Sequence, residues 1–503
     1  MKEVVLGFDV GTSSSKGVIV SLGGVIVAQH AIDHEVQRPH SGWAEMDVAT
    51  WWSEFATTTH ALLSGRDFRV VAVGVSGMGP CAAVTDADGE PLRPAILYGI
   101  DSRAVHEIVS LERRYGRDTI LQTCGSLLST QAVGPKLVWL AEHEPSVFER
   151  ARRLLMPSSY LVMRLTGEYI LDHPSASQCD PMYDLTANAW HRSWASEITQ
   201  GRIELPRLLW PDEVAGVVSA DAAAVTGIPA GVPVIAGTID AWAEGVSGAA
   251  CNQGDLMLMY GTTMFLIDTL PGRVVAQELW GTSGARQGTF ALAGGMATSG
   301  AIISWLQSVC NAPDVPTMLL EAERAGVGAN GVIMLPYFAG ERTPIADPDA
   351  RGLIAGLTIT HTRGDLCRAA VEATAFGVRH NVETILRAGG TIERVVALGG
   401  GTQGRLWPQI VSDVTGLVQQ VPRISVGASY GCAFLAAQAV ADVTIERWNP
   451  VAYTYRPDPA RHARYDALYD IYLNLYKVTA SLTHNLVRLP GRSAVLQEVD
   501  ACG

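Results

Sequence analysis

The sequence predicts a two-domain α/β protein whose halves repeat one design and enclose a ligand cleft. Three observations carry that expectation. Val4, Leu6 and Phe8 alternate into the turn Asp9-Val10-Gly11-Thr12-Ser13-Ser14-Ser15-Lys16-Gly17, and Val18, Ile19 and Val20 follow, so a Gly- and hydroxyl-rich turn joins two strands. Roughly half a chain later, Leu256 to Ile267 repeat the order of apolar strand, Gly261-Thr262 turn and apolar strand. At 503 residues the chain is long enough for several buried cores.

The first turn has the chemistry of a phosphate cradle. Gly11 removes the Cβ that would keep an anion from the backbone N–H groups, and Thr12, Ser13 and Ser14 add hydroxyl donors. Asp9 offers a carboxylate to a nucleotide-bound Mg²⁺, directly or through water, and Lys16 a compensating charge. A single copy is equally compatible with a β-turn in which Asp9 caps a backbone N–H. A second copy, facing the first, favours a polyphosphate gripped from both sides.

In chain order, Val25 to Ala28 reads as a third strand. Asp47 reads as the N-cap of a helix whose buried side is Trp51, Phe55, Thr59 and Leu62 and which ends at Gly65. Val70 to Val75 is a strand opening into the loop Ser76-Gly77-Met78-Gly79-Pro80, at the carboxyl end where open α/β sheets place ligands. Tyr98, Asp101 and Arg103 combine an aromatic face, a carboxylate and a guanidinium suited to a polyol; a surface strand ending in an ion pair is the competing reading. Lys136 to Glu142 and Ser158 to Leu165 are helical, whereas residues 170–215 show no clear period, although Gln178 and Asp180 have the polarity of cleft residues. Pro233 to Asp240 is a strand ending in a carboxylate before a helix over 241–246. The helix dipole would keep Asp240 ionised there, and a plain N-cap is the alternative. In the second half, a helix surrounds Ile302, Trp305 and Leu306, and a long one spans Asp365 to Leu386. Arg394 to Leu398 is a strand before Gly399-Gly400-Gly401, Asp466 to Leu486 is a closing helix, and 491–503 is a tail.

Composition narrows the function. The net charge of −13 argues against nucleic acid as a partner, and no apolar run has the length of a membrane span. Eight scattered cysteines, at 81, 124, 179, 251, 310, 367, 432 and 502, form no metal-ligand or disulfide pattern. A cytoplasmic protein acting on a small molecule is expected.

The chain resembles the FGGY family of carbohydrate kinases, which share the duplicated actin/hexokinase-like ATPase fold (ribonuclease-H-like). The resemblance is carried in order by Asp9-Val10-Gly11-Thr12, Pro135-Lys136-Leu137 with Trp139, Gly237-Thr238-Ile239-Asp240, Tyr260-Gly261-Thr262, Glu341-Arg342-Thr343-Pro344 and Gly399-Gly400-Gly401. The stretch from Gly352 through Gly356 and Asp365 to Glu372 is similar to the family's second signature.

The resemblance implies phosphoryl transfer from ATP with Mg²⁺ to a small sugar or polyol in a cleft between an N-terminal domain (1–246) and a nucleotide-binding C-terminal domain (247–490), with a hinge near 245–254. It implies Asp240 as catalytic base and Asp9 as the metal-associated carboxylate. Thr12, Ser13, Gly261 and Thr262 would contact phosphates, and Gly300, Gly400 and Gly401 would lie near the nucleotide. A homodimer is left open. Tyr337 to Pro344 is most similar to xylulokinases, which implies a ketopentose; a ketotetrose, polyol or sugar acid is the alternative, and a non-catalytic nucleotide switch a more distant one. Gly79-Pro80 stands where xylulokinases typically carry Met-His, so a sugar partner is missing and D-xylulose is expected to be a poorer substrate than the best one.

Overall fold

The computed structural model describes residues 1–489; the tail expected over 491–503 lies outside the described residues. The principal strands of the first half are β1 (Lys2–Val10), β2 (Ser14–Ser21), β3 (Ile26–Asp33), β4 (Phe68–Gly77), β5 (Val214–Val217), β6 (Pro233–Ile235) and β7 (Thr238–Ile239). They form one sheet in the order β5-β6-β4-β1-β2-β3, with β7 also pairing β4. The second half supplies β8 (Asp255–Tyr260), β9 (Met264–Leu270), β10 (Trp280–Ser283), β11 (Phe290–Met296), β12 (Arg394–Leu398), β13 (Gln419–Pro422) and β14 (Val451–Tyr455). These are ordered β10-β11-β9-β8-β12-β13-β14.

The duplication is one of topology as well as sequence. In each sheet an antiparallel hairpin (β1–β2, β8–β9) is followed by a third antiparallel strand (β3, β11), and its first strand is paired in parallel with a strand from much later in the chain (β4, β12). Parallel pairing needs a crossover connection, which is why each half is long and helix-bearing.

The helices that matter here are α1 (Val48–Leu63), α2 (Val133–His143), α3 (Pro157–Thr166), α4 (Asp240–Ser247), α5 (Gly300–Val309), α6 (Arg363–Ala388), α7 (Leu406–Thr415), α8 (Ala428–Gln438) and α9 (Pro459–Arg488). Asp47 caps α1 by accepting from the Ala49 N–H, and Trp51, Phe55, Thr59 and Leu62 are its buried side. Thr362 and Asp365 form a reciprocal capping box at the start of α6, so the helix begins two residues before the expected Asp365. Residues 170–215, which have no readable period, fold as short pieces, including a strand at Ile170–Asp172 and helices at His173–Ala176 and Arg192–Ile198.

β1 alternates in sequence, yet Val4, Val5, Leu6 and Phe8 are all fully buried. The reason is α8, which comes from the second half of the chain but covers the first sheet. A Cβ at Gly7 would lie 1.9 Å from the Ser429 carbonyl oxygen, and one at Gly74 2.2 Å from that of Cys432, so only glycine lets the helix approach so closely. Val5, Ile235, Trp242, Met257, Val396, Tyr430 and Phe434 then form one apolar cluster shared by both halves.

Candidate active site

The first hairpin turns at Gly11-Thr12-Ser13, closed by the Gly11 N–H donating to the Ser14 carbonyl at 3.0 Å. Asp9 sits at the end of β1 with Lys16 opposite it on β2 and Ser76 beside it on β4. The Ser76 hydroxyl donates to Asp9 Oδ1 at 2.8 Å. His34 braces the turn from behind, one ring nitrogen 2.9 Å from the Gly11 carbonyl oxygen and the other 2.9 Å from Glu54 Oε2. Sequence reasoning did not find this brace, since His34 and Glu54 are isolated residues in the chain.

The second hairpin turns more tightly, the Gly261 N–H donating to the carbonyl of Thr263, two residues on instead of three, at 3.0 Å. The start of α5 is seated on it. The Ser299 and Ala301 N–H groups donate to the Thr262 carbonyl and that of Gly300 to the Gly261 carbonyl, at 2.9–3.1 Å. A Cβ at Gly300 would come within 2.7 Å of the Gly261 oxygen. Gly399 and Gly401 press on Tyr260 of β8, whereas a Cβ at Gly400 would meet nothing within 4 Å. Gly400 therefore presents open backbone beside the hairpin, the surface a flat ligand needs for close approach.

Asp240 is the first residue of α4, with Ile239 as N-cap, so it is not the cap the sequence suggested; its Oδ1 accepts from the Ala241 N–H at 2.8 Å. Burial, then repulsion from Asp9, push its carboxyl well above the usual carboxylate range. Both act against the helix dipole that was expected to keep it ionised. Burial likewise raises Asp9 from 3.8 to about 6, against the Ser76 hydrogen bond and Lys16. Glu244, one helical turn beyond Asp240, is raised from 4.5 to about 7 by burial and by Asp9. The i, i+4 spacing of Asp240 and Glu244 was available in the sequence and would have marked it. Three carboxyl groups that repel one another fit a site that a divalent cation with its polyphosphate would neutralise.

Between the halves lies a cleft lined by Gly79, Ser126, Ser129, Gln131, Gln178, Asp180 and Asp240, with the apolar Ile239 and Trp242, from the first half and by Phe265, Trp280 and Ala293 from the second. The structure thus brings Gly79 together with Asp240 and places Gln178 and Asp180 in the wall. Pro80 is buried behind Gly79. Tyr98 stands toward the first hairpin, its hydroxyl 2.8 Å from Thr12 Oγ1, and its ionisation, raised mainly by burial, also feels Asp240.

Asp101 and Arg103 are a correction, because neither lines the cleft. Arg103 is fully buried, pairing with Asp101 and Glu45 at 2.7 Å each and stacking 3.9 Å from the centre of the Trp43 ring. Asp101 in turn accepts from the Ala44 N–H at 2.7 Å. Both charges are satisfied inside the protein, so neither is left to hold a sugar hydroxyl. Gln131 adjoins Gly99 instead, accepting from its N–H at 2.9 Å, and a Cβ at Gly99 would collide with it.

This arrangement was compared with known proteins. Models of the N-terminal and C-terminal domains of the FGGY family of carbohydrate kinases match residues 4–246 and 256–440. The crystal structure of a xylulose kinase from Rhodospirillum rubrum superposes with a TM-score of 0.89 at 30% identity, covering 96% of this chain and all of that one. The chain belongs to the FGGY family of carbohydrate kinases. Among curated FGGY kinases, the xylulose kinase of Escherichia coli (strain K12) is 29% identical over 94% of this chain and 98% of its own. Glycerol kinase 2 of Streptomyces avermitilis is 29% identical over 87% and 89%. The two-domain FGGY fold expected from the sequence is the one found, and the protein is an ATP-dependent sugar kinase. Its family uses a nucleotide and a divalent metal. Among the described residues no helix is long and apolar enough to cross a membrane.

Proposed function

We propose that this kinase transfers the γ-phosphate of Mg²⁺·ATP to a hydroxyl of a small ketose of ketopentose size, with Asp240 as the general base. The observation that supports it is the position of Asp240, in the lining of the cleft with Ser126, Gln131 and Gln178 and within the electrostatic reach of Asp9 on the first hairpin. The relatives named xylulose kinase favour a ketopentose. Bound Mg²⁺ supplies neutralisation of the phosphate charge.

The chain's own residues do the rest. Thr12, Ser13, Gly261 and Thr262 orient the phosphates from two sides, Gly300, Gly400 and Gly401 accept the nucleotide against backbone, and Lys16 offsets the charge of Asp9. Asp240 aligns the attacking hydroxyl and takes its proton at a carboxylate oxygen; a group pushed above the usual carboxylate range is the stronger base for it. Phosphoryl transfer asks little more than this positioning and charge balance. An ATP-consumption screen across ketoses, polyols and aldonic acids tests the reading. Turnover confined to a substrate other than a small ketose would refute it.

A further inference from the structure

Part of the cleft wall comes from the stretch that has no readable pattern, and it holds an unpartnered carboxyl oxygen. Asp180 is 6% exposed, lines the cleft with Asp240, and its Oδ1 has no hydrogen-bond partner. Burial raises its carboxyl well above the ordinary range, and the Cys124 thiol is the group that opposes the rise.

No cation answers it. Among the described residues that line the cleft there is no Lys, Arg or His. Arg103 is committed to Asp101 and Glu45. The buried Lys136 lies behind the wall, its Nζ reaching the Gln131 carbonyl at 3.4 Å. Arg342 acts on Tyr98, at the end of the cleft where Tyr98 meets the first phosphate hairpin. A buried carboxyl oxygen left without a donor is costly, so the unpartnered Oδ1 of a residue lining a ligand cleft fits an acceptor whose donor arrives with the ligand. Gly79, which also lines the cleft, brings no side-chain donor or acceptor, and Phe265 and Trp280 are apolar walls apart from the indole N–H.

Resting on the reading of this cleft as the sugar site, we propose that Asp180 accepts a hydroxyl hydrogen of the substrate and restricts the enzyme to neutral polyhydroxy ketoses. An aldonate would bring a further charge into a cleft whose burial already disfavours the ionised forms of Asp180 and Asp240 and whose lining holds no cation, which disfavours it by roughly 10²-fold or more. A site built to bond a hydroxyl also discriminates strongly against an analogue that lacks it.

The test uses the full-length enzyme with ATP and D-xylulose, L-xylulose, D-ribulose, L-ribulose, D-xylonate and D-gluconate. The wild type should favour a neutral ketose by at least about a hundredfold in kcat/KM. Asp180→Asn and Asp180→Ala should raise KM for that ketose about tenfold or more with a smaller change in kcat, and neither should melt below the wild type, because an unpartnered carboxylate has been removed. One monodeoxy analogue of the ketose should be poor for the wild type and no poorer for Asp180→Ala, which identifies the hydroxyl that Asp180 meets. Unchanged KM in both variants, a lowered melting temperature in both, or an aldonate turned over as well as the ketose would each overturn the proposal while leaving a sugar kinase. Turnover of none of the six compounds would instead overturn the ketose reading on which it rests.

Discussion

Replacing Asp9 by Asn separates what this carboxylate costs the fold from what it gives the reaction. Asp9 is half-buried at the end of β1, and desolvation raises its carboxyl from 3.8 to about 6. An acid whose folded value is raised contributes its full stability below the unfolded value, and that stability is lost as pH climbs from about 4 through about 6. The interval corresponds to about 3 kcal/mol. Asp9→Asn keeps an oxygen for the Ser76 hydroxyl and removes the ionisation, so at pH 8 the free enzyme should gain up to about 3 kcal/mol, several degrees in melting temperature for domains of this size. Relief of Asp240 from its neighbour's charge acts in the same direction. At pH 4 most of the gain should be gone. With Mg²⁺·ATP the order should reverse, because the wild type has a carboxylate to present to the cation and the variant does not; metal-dependent turnover should fall accordingly. Differential scanning calorimetry at both pH values, with and without Mg²⁺·ATP, reads all of this. A variant no more stable than the wild type at pH 8, or a gain that is independent of pH, would show that burial of Asp9 carries no electrostatic cost.

Asp240→Asn should lower kcat by about 10²–10⁴-fold with little change in ATP affinity, and at pH 8 it should melt no lower than the wild type; near-normal turnover would remove the base assignment. Gly300→Ala puts a Cβ 2.7 Å from the Gly261 oxygen, a backbone atom that cannot rotate away, so α5 must shift off the second hairpin. The expected result is a loss of roughly 1–3 kcal/mol in stability and a raised KM for ATP, and an unchanged KM would show that α5 does not set the nucleotide site. Saturating sugar and nucleotide together should compact the enzyme in small-angle scattering, with the hinge at 245–254, since an open cleft would pass phosphate to water. Identical scattering curves with and without ligands would count against closure.

The sequence by itself determined the repeated hairpin, because a Gly-hydroxyl turn between two apolar strands is a local pattern that backbone geometry dictates. It also determined α1, with Asp47 as its cap, and the strand-to-helix junction at Asp240, for the same local reason. The ordered motifs from Asp9 to Gly401 were enough to reach the family. What only the tertiary structure decided depends on distance along the chain. Asp101 and Arg103 look like a ligand kit until Glu45, 58 residues from Arg103, and Trp43 close over them and satisfy both charges inside the protein. Asp180 and Gln131 carry no pattern of their own, and they become cleft residues because the Asp180 carbonyl accepts from the Gly134 N–H, packing that segment onto α2. The environment of Asp240 could not be read from its place at a helix start, since desolvation and Asp9, which come from the way two separate strands are buried together, act against the helix dipole. Nor could the double burial of β1 be read from its alternation: the partner of its second face is α8, more than 400 residues away, and nothing short of the folded chain brings Gly7 against Ser429.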